Sequence, residues 1–274
     1  MDYELIDFGN GRRLERFGTL VLDRPCPAAD NRQRKPVLWH KADARFDGKW
    51  STSVPKQIVD FGAVRLEIRC TPSGHVGVFP EQILNWNKLA AVRYNSGQGN
   101  IRILNLFAYS GGSSIAAAQS APFAEVVHVD SAKGIVDRAK HNAALNGIHS
   151  IRFIVEDVRK FVKRELKREC RYDAVILDPP SYGHGVKGEA WKIAADLPPL
   201  LEDIARLLNE RPAFLLLTAH TEGLDTAALQ TMLQRAKIDQ KTEFTASEFL
   251  MNIPSSGGGK LGCGCGVWCG RISS

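Results

Sequence analysis

Between residues 101 and 218, short apolar runs alternate with amphipathic stretches, and this constrains the fold more than any other feature of the chain. The spacing predicts strands at Ile101–Phe107, Glu125–Val129, Ile151–Val155, Tyr172–Leu177 and Ala213–Thr218. Between them it predicts helices at Ser113–Gln119, Gly134–Asn146, Val158–Glu169 and Leu197–Leu208, with Gly147 ending the second. Strands separated by whole helices pair in parallel, because the crossover helix returns the chain to the same edge. The expected fold is therefore α/β, a doubly wound sheet with helices on both faces. A helix at Glu81–Val92 precedes this region and another at Thr226–Ile238 follows it. Two late runs, Thr242–Leu250 and Gly266–Ile272, have no helix between them, which predicts an antiparallel hairpin at one end of the sheet.

Residues 1–75 read as β-rich. Leu20-Val21-Leu22 runs into a turn at Asp23-Arg24-Pro25. The runs Ile58–Phe61 and Val64–Ile68 flank Gly62 like the arms of a hairpin. Trp39 and Trp50 are candidates to anchor a small β core. The chain thus divides into a β-rich candidate substrate-binding appendage at 1–75 and a cofactor domain at 76–274.

With 274 residues and 44% hydrophobic content, the chain is long enough for one sizeable α/β domain plus an appendage. No apolar run reaches the length of a membrane span, and Met1-Asp2-Tyr3-Glu4 lacks the features of a signal peptide. The expectation is a cytoplasmic protein with no membrane partner. The net charge of +6 suits a polyanionic partner. Basic residues concentrate at Arg32-Gln33-Arg34-Lys35 and along the helix from Val158, where Glu165 and Glu169 suggest a solvated face. Cys263, Cys265 and Cys269 lack an evident fourth zinc ligand and alternate along a strand, so they read as buried small hydrophobes with no metal.

Chemistry concentrates at the carboxyl ends of the expected strands, where open α/β sheets bind ligands. Phe107-Ala108-Tyr109-Ser110-Gly111-Gly112 joins the first strand to the first helix. Glycines there allow close approach of backbone to ligand, and helix N–H groups point at it. The turn is not GxGxxG, which disfavours a pyrophosphate cofactor. Asp130, followed by Ser131, ends the second strand, where an acid can hold ribose hydroxyls. Asp157 follows the third strand, where an acid can accept from an adenine amino group while Val158 packs on the ring. Asp178-Pro179-Pro180-Ser181-Tyr182 follows the fourth; two prolines force the chain out of the sheet and set an acid and a ring beside the ligand edge. Taken one at a time, these aspartates could also be helix caps or turn formers.

These motifs resemble class I S-adenosylmethionine-dependent methyltransferases. With Asn105 to Gly112, Asp130-Ser131-Ala132, Asn142, Asn146-Gly147 and Asp178–Tyr182, the pattern is similar to the ribosomal RNA group that contains the bacterial large-subunit cytosine-C5 and guanine-N7 enzymes. The resemblance spans roughly residues 76–220. It implies a Rossmann-like seven-stranded methyltransferase sheet, S-adenosyl-L-methionine as cofactor and RNA as substrate. Gly111 would lie under the methionine part, Asp130 would bind the ribose and Asp157 the adenine. Gly77-Val78-Phe79-Pro80-Glu81-Gln82 matches the group's segment before the cofactor domain, but with Glu81 for its aspartate and Ile83 for its arginine.

The cytosine-C5 relatives use a cysteine after the next strand. Here Thr218 runs into Ala219-His220-Thr221, with Thr221 in the matching place. The expectation is therefore direct transfer to a base nitrogen rather than covalent catalysis. Asp178 and Pro179 would hold an exocyclic amine, Pro180 would complete the turn and Tyr182 would stack on the base, displaced by one position through Ser181. His184 and His220 flank the segment as bases, contacts or plain loop residues.

Overall fold

A computed structural model of the chain describes residues 1–93, 101–184, 190–241 and 245–270. The chain divides into two units: Met1–Asn87 with Met251–Cys263, and Lys88–Leu250 with Gly264–Ser274.

In the first unit, β1 (Tyr3–Gly9), β2 (Arg12–Phe17), β3 (Leu20–Pro25), β4 (Ala44–Asp47) and β5 (Lys49–Trp50) form a sheet in that order. β6 (Gln57–Asp60) and β7 (Arg65–Ile68) form the expected antiparallel pair. Phe8, Phe17 and Phe61 fill the core. Trp39, half-buried, packs against the buried cluster of Ile6, Leu14 and Val21, and Trp50 packs on Phe46; the indole N–H of each finds an acceptor. Trp39 donates to the Asp7 carboxylate at 2.9 Å and Trp50 to the Thr71 carbonyl at 2.8 Å. Residues 76–87 group with these strands, and so do residues 251–263. The Ser255 hydroxyl donates to the Ile6 carbonyl at 2.9 Å, which ties the later segment to β1.

α1 (Ile83–Ala91) leads out of the first unit. The second unit then alternates as expected: β8 (Arg102–Leu106), α2 (Gly112–Ser120), β9 (Glu125–Asp130), α3 (Lys133–Leu145), β10 (Ile151–Val155), α4 (Val158–Lys167) and β11 (Ala174–Leu177). A short hairpin, β12 (Tyr182–His184) with β13 (Ala190–Lys192), interrupts the alternation. α5 (Ile193–Leu207), β14 (Phe214–Ala219), α6 (Thr226–Arg235), β15 (Thr245–Pro254) and β16 (Lys260–Gly270) complete the chain.

The sheet has seven strands in the order β10-β9-β8-β11-β14-β16-β15. β8 to β11 and β14 pair in parallel, while β16 runs antiparallel to β14. Strand residues alternate between two buried faces, as a parallel sheet covered on both sides requires. Leu104, Val127, Val175 and Leu215 pack with Val158, Phe161, Leu201 and Leu229 of α4, α5 and α6. On α4, Glu165 is not part of a solvated face: it is buried and accepts from the Tyr172 hydroxyl at 2.8 Å, which satisfies both groups. Cys265, Val267 and Cys269 join the apolar core. Residues 242–244 and 271–272 of the expected late strands lie outside the described residues. The chain runs outward from β8 through β9 to β10, then resumes at β11 on the other side of β8. The order therefore reverses between β8 and β11, and ligands of such sheets bind outside the carboxyl ends at that point.

Candidate active site

A cleft opens at this reversal, lined by Phe107, Asp130, Ser131, Asp157, Val158, Arg159, Pro180, Gly183 and Trp191. The exits of β8, β9, β10 and β11 supply seven of these residues, and the β12–β13 pair supplies Gly183 and Trp191. Five of them (Phe107, Asp130, Ser131, Asp157 and Val158) are cofactor candidates legible in the sequence.

The turn after β8 is held in an uncommon conformation. Phe107 has φ 55°, Tyr109 φ 47° and Gly111 φ 95°, all left-handed. Two non-glycine residues in that region cost about 1–3 kcal/mol each and mark a geometry fixed by its surroundings. The surroundings are visible. Asn142 of α3 donates to the Ser110 carbonyl at 2.9 Å, fully buried. The Ala108 amide donates to the Val129 carbonyl at 3.1 Å and the Gly111 amide to the Ala108 carbonyl at 3.1 Å. A Cβ on Gly111 would meet the Cβ of Ala139 at 3.1 Å. The positive φ and the packing of α3 both call for glycine here. Ala108, Tyr109, Ser110 and Gly111 shape the turn, and Phe107 is its member in the cleft wall.

Asp130 ends β9. Its carboxylate accepts from the Tyr109 amide at 3.0 Å and from the Ala132 amide at 3.0 Å. Burial pushes the carboxyl up, and the amides of Ala132, Tyr109 and Ser131 pull it back. Beneath it lies a buried chain: Asn105 donates to the Ser114 hydroxyl at 2.8 Å, and that hydroxyl sits 3.0 Å from His128 Nδ1.

Asp157 caps α4, accepting from the amides of Arg159 at 3.0 Å and Lys160 at 3.2 Å. It also pairs with the Arg159 guanidinium at 3.1 Å, and Arg159 reaches Asp196 at 3.0 Å. The simple cap reading of Asp157 is thus correct, and its position on the cleft wall is a separate fact. Arg159 stands between two carboxylates. Trp191 packs on Phe107 with ring centroids 4.7 Å apart and donates to the Pro180 carbonyl at 2.7 Å. Neither Arg159 nor Trp191 was legible as a site residue. Arg159 belonged to a basic helix, and Trp191 lies on a hairpin that no periodicity marked.

Asp178 follows β11 directly. Its Oδ1 accepts from the Thr218 hydroxyl at 2.6 Å and lies 3.0 Å from His220 Nε2. The Ser181 and Thr221 hydroxyls meet at 2.8 Å. Three side-chain contacts thereby join the end of β14 and the residues after it to the exit of β11. Pro179 is buried while Pro180 and Tyr182 are exposed, and Tyr182 is paired with Lys192 across the β12–β13 hairpin. The aromatic walls of the cleft are Phe107 and Trp191, not Tyr182. The side chain of His184 lies outside the described residues. Among the described residues, no cluster of His, Cys, Asp or Glu has the geometry to hold a metal.

A family model for S-adenosylmethionine-dependent methyltransferases matches residues 12–219. The chain belongs to that family. The cofactor is S-adenosylmethionine. The solved structure of the S-adenosylmethionine-dependent methyltransferase from Agrobacterium tumefaciens is similar over 98% of this chain and 90% of that one, with 31% identity and a TM-score of 0.88. Ribosomal RNA large subunit methyltransferase I of Aeromonas hydrophila is 31% identical over 130 residues, 47% of this chain and 31% of that protein. Its counterpart from Tolumonas auensis is 32% identical over 160 residues, 57% of this chain and 38% of that protein. The chain spans about a third of the length of these curated relatives. The donor set of the cleft suits this methyltransferase cofactor: Phe107, Val158 and Trp191 offer apolar surface for a purine, and Asp130 offers carboxylate acceptors for hydroxyls.

Proposed function

We propose that this methyltransferase acts on ribosomal RNA and transfers the methyl group directly to a base nitrogen, with no covalent cysteine intermediate. The likeness to ribosomal RNA large subunit methyltransferase I and the net charge of +6 support the RNA substrate. Asp130 accepts from the ribose hydroxyls, Asp157 from the adenine amino group, and Val158 packs on the adenine ring. Ser131 flanks the ribose, and the Phe107–Gly111 turn underlies the methionine portion. When bound, the cofactor supplies a methyl group already activated on a sulfonium, so the protein's task is alignment of the acceptor.

The observation that carries the reading is the placement of Asp178. It stands at the exit of β11, next to the sheet's reversal, with its carboxylate fixed by Thr218. There Asp178 and the Pro179 carbonyl hold the exocyclic amine, Pro180 fixes the turn and Tyr182 stacks on an unpaired base. Chemistry at the cysteines supports direct transfer. Cys265, which pairs with Ala219 at the end of β14, is buried, and its thiol donates to the Leu224 carbonyl at 3.3 Å. Burial pushes that thiol up, away from the thiolate a covalent mechanism needs.

The test is transfer of labelled methyl groups to protein-free large-subunit RNA. Asp178→Ala is expected to abolish transfer while leaving the cofactor dissociation constant within about threefold. Normal transfer by that variant would falsify the role of Asp178. Unchanged modification of ribosomal RNA in a deletion strain would instead move the substrate to a small molecule or a protein.

A further inference from the structure

We infer that Trp191 is the positioning residue that ties the cofactor cleft to the segment Asp178–Tyr182: its ring face contacts the bound methyl donor, and its indole N–H holds the segment. This rests on the reading of that segment as the part that holds the acceptor. Pro179 and Pro180 have no backbone N–H, so the chain there cannot be fixed by donating its own amides. Its carbonyls must be held instead. Trp191 Nε1 donates to the Pro180 carbonyl at 2.7 Å, and the Ile193 amide donates to the Ser181 carbonyl at 3.2 Å. These donors come from β13 and the start of α5. An indole has one donor and no acceptor, so the bond to Pro180 commits the polar edge of Trp191 and leaves its faces for packing.

The ring itself is held from several sides. Trp191 is buried, lines the cleft beside Phe107 and Pro180, and has the Arg159 guanidinium 5.8 Å from its ring centroid. Arg159 donates to the Ala190 carbonyl at 3.1 Å and to the Asp196 carboxylate at 3.0 Å. Asp196 in turn accepts from the Lys192 amide at 2.7 Å. The chain neighbours of Trp191 on both sides are thus pinned by a network that starts at Asp157, the cap of α4. Two features of Trp191 go beyond filling a core. It faces the cleft, and it sends its N–H to the segment after β11 rather than to its own hairpin. One rigid side chain therefore serves as wall for the methyl donor and as clamp for the acceptor-holding segment, which fixes the distance between the two reactants.

The experiment compares Trp191→Phe, which keeps an aromatic face and removes the N–H, with Trp191→Leu, which removes both. Of the five tryptophans, Trp191 lines the cleft, so S-adenosylhomocysteine is expected to change the intrinsic fluorescence of wild type and to lose that effect in Trp191→Phe. By calorimetry, Trp191→Phe is expected to bind S-adenosylmethionine within about threefold of wild type, and Trp191→Leu about tenfold or more weakly. A full fluorescence change in Trp191→Phe, or wild-type affinity in Trp191→Leu, overturns the cofactor contact. Hydrogen exchange reads the clamp. The amides of Ser181, Tyr182 and Gly183 are expected to exchange about tenfold faster in Trp191→Phe, while those of β8 to β10 hold and so report an intact fold. Equal exchange at residues 181–183 in both proteins overturns the clamp. In transfer to protein-free large-subunit RNA, Trp191→Phe is expected to lower kcat by about tenfold or more with cofactor affinity kept, and an unchanged kcat overturns the positioning role. If wild type transfers nothing to that RNA, the substrate reading fails, and the fluorescence and exchange measurements still decide the role of Trp191.

Discussion

At the scale of single residues, burial decides which titratable groups matter. His128 is fully buried, 3.0 Å from the Ser114 hydroxyl, and its Nε2 has no hydrogen-bond partner among the described residues. Burial pushes its pKa down to about 3. The folded chain therefore keeps His128 neutral where the unfolded chain, at about 6.5, takes up a proton. Between these values the unfolded state binds more protons, so stability is present above about pH 6.5 and is lost as pH falls toward 3. Urea unfolding from pH 7 to 4 is expected to show a loss of up to about 1.4 kcal/mol per pH unit from this group. A His128→Leu variant should lack that component, and an identical slope in both proteins would remove His128 as the cause. Nothing in the sequence marked this residue, because burial on both faces of a strand is a tertiary property. Asp130, by contrast, was legible from its distance to the glycine turn.

Element boundaries carry the next level of control. α4 starts where Asp157 accepts two amide hydrogens, so the residue that faces the cleft also nucleates the helix. The two roles separate by substitution. Asp157→Ala is expected to cost about 1 kcal/mol in urea unfolding through the lost cap. Asp157→Asn caps comparably and should retain that stability; any weakening of cofactor binding in it then reports on the cleft. Equal stability of the Ala variant and wild type would argue against the cap. The strands and helices from β8 to β11 lie within a few residues of their expected bounds, since their periodicities are long and clean. The β12–β13 hairpin was not legible. Each arm has three residues, too few for alternation to register, and its pairing joins chain ends on either side of residues 185–189. α5 begins at Ile193, ahead of the expected start at Leu197, with Pro198-Pro199 inside it.

For the molecule as a whole, ligand linkage tests the site without knowledge of the substrate. A ligand that binds only the folded state stabilises it by about 2.7 kcal/mol at a hundredfold excess over its dissociation constant. S-adenosylmethionine is expected to raise the melting temperature of the chain by several degrees, and Asp130→Ala to remove most of that rise. A full shift in Asp130→Ala would place the cofactor away from the end of β9. No helix among the described residues is long and apolar enough to cross a membrane.

The sequence by itself determined the alternation, the glycine turn and the row of aspartates at strand ends, because these follow from local periodicity and from residues that cannot continue a strand. From them the family and the cofactor were readable. Only the tertiary structure decided what those residues touch. It made Asp157 a cap as well as a cleft residue, put Trp191 rather than Tyr182 in the cleft wall, and set Gly111 against Ala139 of α3. It also brought His220 and Thr218 to Asp178, some forty positions away in the chain. Contacts across that separation depend on which strands lie side by side, and strand order is set by the packing of the whole sheet rather than by any local run of residues.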